Sequence, residues 1–371
     1  MSGTVGTNVD RGSGSIGEAA SGPTVSASNP TISTNSTLGT QWANSSTGAF
    51  YIMTTDTAGS NVWTNVDAAG DNIAPFHFTN AQLYCFAAGG SVPSSNTITI
   101  DKNAFASDAN STDQGNLSII RKGLSHASSD ANGYSQGGHD GSAQTDIIDK
   151  FAMVSAADAT DVGNLTVAGE THAGVTSSDY GHSCGGGAGL RRVDRFSFAS
   201  GTQNASNLGN LISVNRDYVM GGSSSTHGYI MGSYSGTPTN QIEKFAFADD
   251  ATTADVGDLF SIPSAASASH CQDGYVWCSG LFNGTATNLI QKMATASDSD
   301  SVDAGVDLYA TCNGTGCGNA SATYGYAMGG ALTGSHSDIV DKWAFSASGT
   351  ASKVGDLILA RENVMFSGNQ L

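Results

Sequence analysis

Charge of one sign is scarce in this chain. Only 14 of its 371 residues are Lys or Arg, against 32 Asp or Glu, so the formal charge is −18 and charged residues reach only 12%. A surface of that sign repels nucleic acid and anionic membrane, which argues against a DNA, RNA or membrane-surface role. Long apolar runs are missing too. No stretch approaches the roughly eighteen residues that a spanning helix needs, and Met1 to Asp10 shows no basic segment leading into an apolar one, so neither membrane insertion nor a Sec-type signal is expected. No window keeps an amphipathic period of about 3.6, so helices are not expected. The six cysteines contain no CxxC pair, which speaks against a structural zinc. The Cys271/Cys278 and Cys312/Cys317 spacings leave disulfides open.

Glycine is abundant. There are 48 of them in a chain that is still 39% hydrophobic, enough to build a core. With Thr, Ser, Val, Asn and Asp plentiful, the composition points to short strands and tight turns.

An apolar–acidic–basic–aromatic column recurs along most of the chain. It reads Ile100-Asp101-Lys102, Ile148-Asp149-Lys150-Phe151, Val193-Asp194-Arg195-Phe196, Ile242-Glu243-Lys244-Phe245, Ile290-Gln291-Lys292-Met293 and Val340-Asp341-Lys342-Trp343. A second column follows each time: Gly115-Asn116-Leu117, Gly163-Asn164-Leu165, Gly209-Asn210-Leu211, Gly257-Asp258-Leu259, Gly305-Val306-Asp307-Leu308 and Gly355-Asp356-Leu357. A third lies upstream, an aromatic strand running into glycines, as in Gly133-Tyr134 to Gly137-Gly138 and Gly325-Tyr326 to Gly329-Gly330. A weaker apolar segment precedes it, as in Tyr218-Val219-Met220-Gly221.

Four short strands per unit of nearly fifty residues is the spacing of a propeller blade. The expected fold is therefore all-β, a six-bladed propeller over 73–371, with an extended arm at 1–23 and a small β-module at 24–72. Val364 to Gly368 aligns with the first strand of a unit but has no further strands after it. It is expected to complete the first blade and close the ring, which would remove exposed sheet edges.

The order of glycine-pair strand, apolar–acidic strand and Gly-Asp-Leu turn resembles the kelch-type repeat, without its Tyr and Trp spacing. The wording Ile148-Asp149-Lys150-Phe151-Ala152 followed by Asp158-Ala159-Thr160-Asp161-Val162-Gly163-Asn164-Leu165 resembles repeats of marine bacteriophage virion proteins, tail or head fibre proteins of phages that infect cyanobacteria and similar hosts. The resemblance covers 74–371. It implies a structural virion protein, extracellular on a tail or capsid appendage and present in many copies. Residues 1–72 would dock to other virion proteins, and the propeller would meet a host-surface glycan or protein. Two other readings stay open: a capsid or tail decoration protein without receptor binding, and a secreted carbohydrate-active enzyme.

Candidate site residues are few. Trp42, Tyr51 and Trp63 in the small module could stack on sugar rings or form the module's core. Arg121, Arg216 and Arg361 share one column and could line a central channel or bridge to the acid of an adjacent blade. The acidic–basic pairs put one partner on each face of the strand, and their recurrence suits packing between blades. No catalytic set, cofactor or metal site is expected. Asp-boxes and a Gly-x-Ser-x-Gly elbow are missing, and no ligand constellation can be read around His182, Cys184 and Tyr229. The acidic turns at 108–113, 158–161, 249–255 and 298–303 supply oxygens but lack the EF-hand glycine and terminal Glu, which favours solvated turns over calcium.

Overall fold

The structure, a computed structural model, describes residues 22–31, 33–57, 61–66, 83–187, 191–209, 212–213, 215–234, 237–248, 252–261, 268–272, 274–280, 285–312, 316–321 and 323–363. The protein is all-β, with no helix among the described residues. Its contacts divide it into two units, Met1–Pro75 and Phe76–Leu371.

The first unit holds one sheet of four strands, Thr24–Ser26, Gln41–Asn44, Phe50–Thr55 and Val62–Asn65, in that order. The opening pair is parallel and the others are antiparallel. Its core is small: Ala49, Tyr51, Met53 and Trp63, with Trp42 packed against it.

The second unit repeats one sheet. In the second sheet, Ser125–Ser128, Asn132–Gln136, Ile147–Ala152 and Thr160–Asn164 run antiparallel in sequence order. The third begins at Ala173–Thr176, the fourth at Met220–Ser223, the fifth at Ala268–Gln272 and the sixth at Cys317–Ala320, each with three further strands in the same order; the fifth also takes Gly349–Thr350 as a parallel edge strand, and Ala331–Leu332 adds a short hairpin to the sixth. The first sheet has Tyr84–Ala88, Thr99–Ala104 and Thr112–Asn116 among the described residues. The expected closing strand at 364–368, and the region before residue 83 that would otherwise supply a first strand, lie outside them.

The recurring columns have distinct structural causes. In Gly133, Gly181, Gly228 and Gly325 the glycine lies under the aromatic ring of its cross-strand partner, Phe151, Phe196, Phe245 or Trp343, so a Cβ there would enter the ring. The glycine pair that ends the second strand adopts positive φ, 59° and 103° at Gly137 and Gly138, and turns the chain away from the sheet. The aromatic column Phe86, Tyr134, Tyr229, Trp277 and Tyr326 is buried between sheets, and His182 takes its place in the third sheet. There the imidazole packs on Phe245 and Phe247 of the fourth sheet at 5.6 and 5.4 Å.

The initial strands of consecutive sheets pack on one another. Gly221 lies against the Gly174 backbone and Gly174 against that of His126, both too close for a side chain. The initial strand of the sixth sheet also meets Tyr84–Ala88 of the first, as the initial strands of the second to fifth sheets each meet the second strand of the sheet that follows. One apolar cluster accordingly joins Cys85, Phe86 and Ile100 with Cys317, Met328 and Val340.

Candidate functional site

The polar groups of the second unit are concentrated at the seams between sheets. In every sheet the acidic column, or Gln291 in its place, points into the seam with the preceding sheet and is buried. It accepts a backbone N–H from the end of that sheet's outer strand. Ser118 donates to Asp149 at 2.9 Å, Thr166 to Asp194 at 2.8 Å, Ser213 to Glu243 at 3.2 Å and Ser261 to Gln291 at 3.4 Å. Tyr309 donates to Asp341, and Ile358 to Asp101 at 2.8 Å. The last of these joins the sixth sheet to the first.

Buried carboxylates need a cation to offset desolvation. Arg121 gives one to Asp149 at 2.6 Å, Arg216 to Glu243 at 3.4 Å and Arg361 to Asp101 at 2.9 Å. All three arginines are 0% exposed. They therefore bridge to neighbouring acids, and the expectation that they line an open channel is corrected. The guanidinium heads also donate to the backbone: Arg121 to Gly137 O and Ile147 O, Arg216 to Gly232 O and Gln241 O, Arg361 to Thr99 O and Ala87 O. Where the third sheet has Gly169 in this column, Arg192 supplies the charge to Asp194 at 3.3 Å. In the sixth sheet the column residue is Cys312, and Asp341 has no arginine. Burial pushes its carboxyl up to about 7.

A second tie uses the acidic turns. Asp158 Oδ1 accepts from Asn116 N at 2.9 Å, Asn204 Oδ1 from Asn164 N at 3.0 Å, Asp300 Oδ1 from Asp258 N at 3.0 Å and Asn110 Oδ1 from Asp356 N at 3.1 Å. Each turn folds over the outer strand of the sheet before it, on a glycine (Gly115, Gly163, Gly257 or Gly355) that leaves room for its backbone. No cluster of three or more His, Cys, Asp or Glu suited to a metal occurs among the described residues. Nothing in the sequence named these Asx residues individually, yet they recur at a constant offset of about nine residues after the acid column.

The basic column faces the other way, as alternation requires. Lys102 lies over Tyr84 at 3.8 Å, Arg195 over Tyr180 at 4.5 Å and Lys342 over Tyr324 at 4.5 Å, which are cation–π distances. Lys244 and Lys342 also reach the turns of the next sheet, at Asp298 (2.5 Å) and Asp108 (2.7 Å).

The aromatic trio of the small unit is brought together, but not as an open face. Trp63 is 0% and Tyr51 1% exposed. Trp42 meets Trp63 edge to face at 5.8 Å, with its Nε1–H on Ser28 O at 2.9 Å. The rings fill a core that has little else, so the expectation of sugar stacking on all three is corrected. Cys85, Cys184, Cys278, Cys312 and Cys317 form no disulfide, so neither spacing gives a bridge.

A shallow concavity of about 620 Å³, open to solvent, lies beside the loops of the third and fourth sheets, between Arg191, Asn215, Ser233, Thr237, Pro238, Thr239 and Gln241. Arg191 gives it a positive edge in an otherwise acidic chain.

No protein-family model matches the chain, and no curated protein matches it.

Proposed function

We propose that the second unit is a six-bladed kelch-like β-propeller and that the protein is a structural virion protein, a fibre or appendage component of a tailed phage. The observation that carries the architectural part is the seam from the sixth sheet to the first. It has the same acid tie (Ile358 to Asp101), the same Asx turn (Asp356 to Asn110) and the same lysine reach (Lys342 to Asp108) as the internal seams. Arg361 and Glu362 enter the first sheet as Arg121 and Lys122 enter the second. Glu362 bridges Ser91 as Lys122 bridges His139. On this reading 364–368 supplies the missing strand. Deleting 364–371 is then expected to lower Tm sharply, and a variant ending at residue 363 that melts like the full chain overturns the closure.

The virion role rests on the resemblance of the repeats, together with a unit whose buried polar groups are used in holding neighbouring sheets. Residues 1–72 would dock to the particle. The loops around Arg191 would form the surface that meets a host glycan or another virion protein, with avidity from many copies. Quantitative mass spectrometry and immunogold labelling of gradient-purified particles test this. The expected outcome is the protein at stoichiometric copy number on a tail or capsid appendage. Its absence from intact particles, or polysaccharide turnover by the purified chain, defeats the proposal.

A further inference from the structure

The third sheet departs from the repeat in four places. Gly169 stands where the second, fourth and first sheets carry Arg121, Arg216 and Arg361. The outer strand pairs at only two positions, Asp194 with Asn207 and Arg195 with Ser206, against four in the second and fourth sheets. His172 takes the place of Leu124 and Val219, which sit against Gly89 and Gly185 as His172 does against Gly137. His182 takes the place of the buried aromatic ring.

Both imidazoles are 1% exposed. Neither ring nitrogen of His172 has a hydrogen bond among the described residues, nor has Nδ1 of His182. The charges acting on them oppose protonation: Arg192 acts on His172, and Arg195 lies opposite His182 in strand register. Tyr180 meets His182 edge to face at 6.5 Å, beneath Arg195. The nearby carboxylates have other partners. Glu170 lies against Gly123 and Gly187, and Asp217 takes Thr171. Asp194 takes Thr166 and Arg192, and Glu243, on the strand that carries Phe245, takes Ser213 and Arg216. A backbone contact with Val175 favours the charged form of His182, but burial outweighs it. Burial is the largest influence on both rings and holds each down to about 3.

We infer that the third sheet is an acid-opened joint: protonation of His172 and His182 frees it from the second and fourth sheets while the remaining sheets keep their pairing. Opening wets both rings, and a wet imidazole takes up its proton near pH 6.5. The open form gains protons that the packed form refuses, so opening grows as pH falls below about 6.5. At about pH 4.5 each wetted ring multiplies the opening constant roughly a hundredfold over its value at about pH 7.5, or about ten-thousandfold for the two. His126 of the second sheet is buried too, but that sheet keeps Arg121 and the longer outer pairing, so the third sheet yields first.

Cys184 reports the opening. It is a buried thiol in the second strand of the third sheet, opposite Ala173, whereas Cys85, Cys278 and Cys317 lie in the first, fifth and sixth sheets. The full chain is treated with dithiodipyridine, which modifies thiols in acid as well as at neutral pH. Mass spectrometry follows each cysteine, and its rate is divided by that of the denatured chain at the same pH. Between about pH 7.5 and about pH 4.5 this ratio is expected to rise at Cys184 by about three to four orders of magnitude, ahead of the other three. His172→Leu combined with His182→Phe, residues that the same columns carry at Leu124 and Phe86, should remove most of the rise. Should that pair not fold, His182→Phe alone is expected to lower it about a hundredfold. A Cys184 no faster than the other cysteines in acid, or an unchanged rise in the variants, overturns the joint.

Discussion

Arg361, near the end of the described chain, lies 2.9 Å from Asp101 in the first sheet, with both side chains 0% exposed. Burial pushes Arg361 down and Asp101 up from their ordinary values, and their mutual attraction works against both shifts. The pair brings distant parts of the sequence into one seam and makes that seam sensitive to loss of either member.

Arg361→Met is expected to destabilise the second unit by about 3–5 kcal/mol, because it leaves a buried carboxylate without its cation. Adding Asp101→Asn in the same chain should recover part of the loss, since an amide buries at lower cost than a charge. Denaturant unfolding of the two variants beside the native chain measures both. A single variant as stable as the native chain would remove the pair from the account of the seam.

Substitution at the glycines beneath the Asx turns should be costly in proportion to crowding. A Cβ at Gly163 would come within 2.5 Å of the Gln203 backbone, whereas one at Gly201 meets nothing within 4 Å. Gly163→Ala is expected to cost about 1–3 kcal/mol as the turn is pushed off the outer strand. Gly201→Ala should stay within about 0.5 kcal/mol of native. Equal stability of the two would show that the turn does not need the close approach.

Three buried imidazoles set an acid limit. His126, His172 and His182 are each held down to about 3 by burial. Their unfolded values lie near 6.5, so the unfolded chain takes up protons first as pH falls. The stability they confer is present above about pH 6.5 and is lost between there and about pH 3. Tm measured across that window should fall with pH. His182→Phe, which keeps a ring packed against Phe245 and Phe247, should flatten the slope. A slope identical to native would place the acid sensitivity elsewhere.

The columns made the strands and their order legible because a period repeated in several independent positions has no local explanation. The acid column was also legible as a packing device, since alternation and recurrence both pointed to the seams. Arg121, Arg216 and Arg361 were less so. They stand at or just after the end of the outer strand, and spacing alone does not say whether such a side chain turns to an axis or back into the next sheet. Tyr51 and Trp63 were ambiguous for a different reason. In a module this small the same aromatic rings serve as surface or as core, and only Ala49 and Met53 packing beside them decides. Asn110, Asp158, Asn204 and Asp300 stood at a regular offset, but acidic turns are ordinarily solvated, and that prior hid their bonds across the seams.

The Trp42–Trp63 contact offers an optical reporter for the first unit. Trp63, sealed in its core, should resist acrylamide quenching more than Trp42, which donates to Ser28 at the rim. Comparing Trp63→Phe with Trp42→Phe separates the two signals. Equal accessibility would contradict the buried placement of Trp63.

The Asx ties also bear on how the molecule ages. At each of these seams the residue over the neighbouring strand uses only Oδ1, an atom that asparagine and aspartate share, and both occur in the role. Hydrolysis of the Asn110 or Asn204 side-chain amide to aspartate would therefore turn each into the residue already serving at Asp158 and Asp300. Slow deamidation at these two positions would add negative charge while leaving the acceptor that joins the sheets in place.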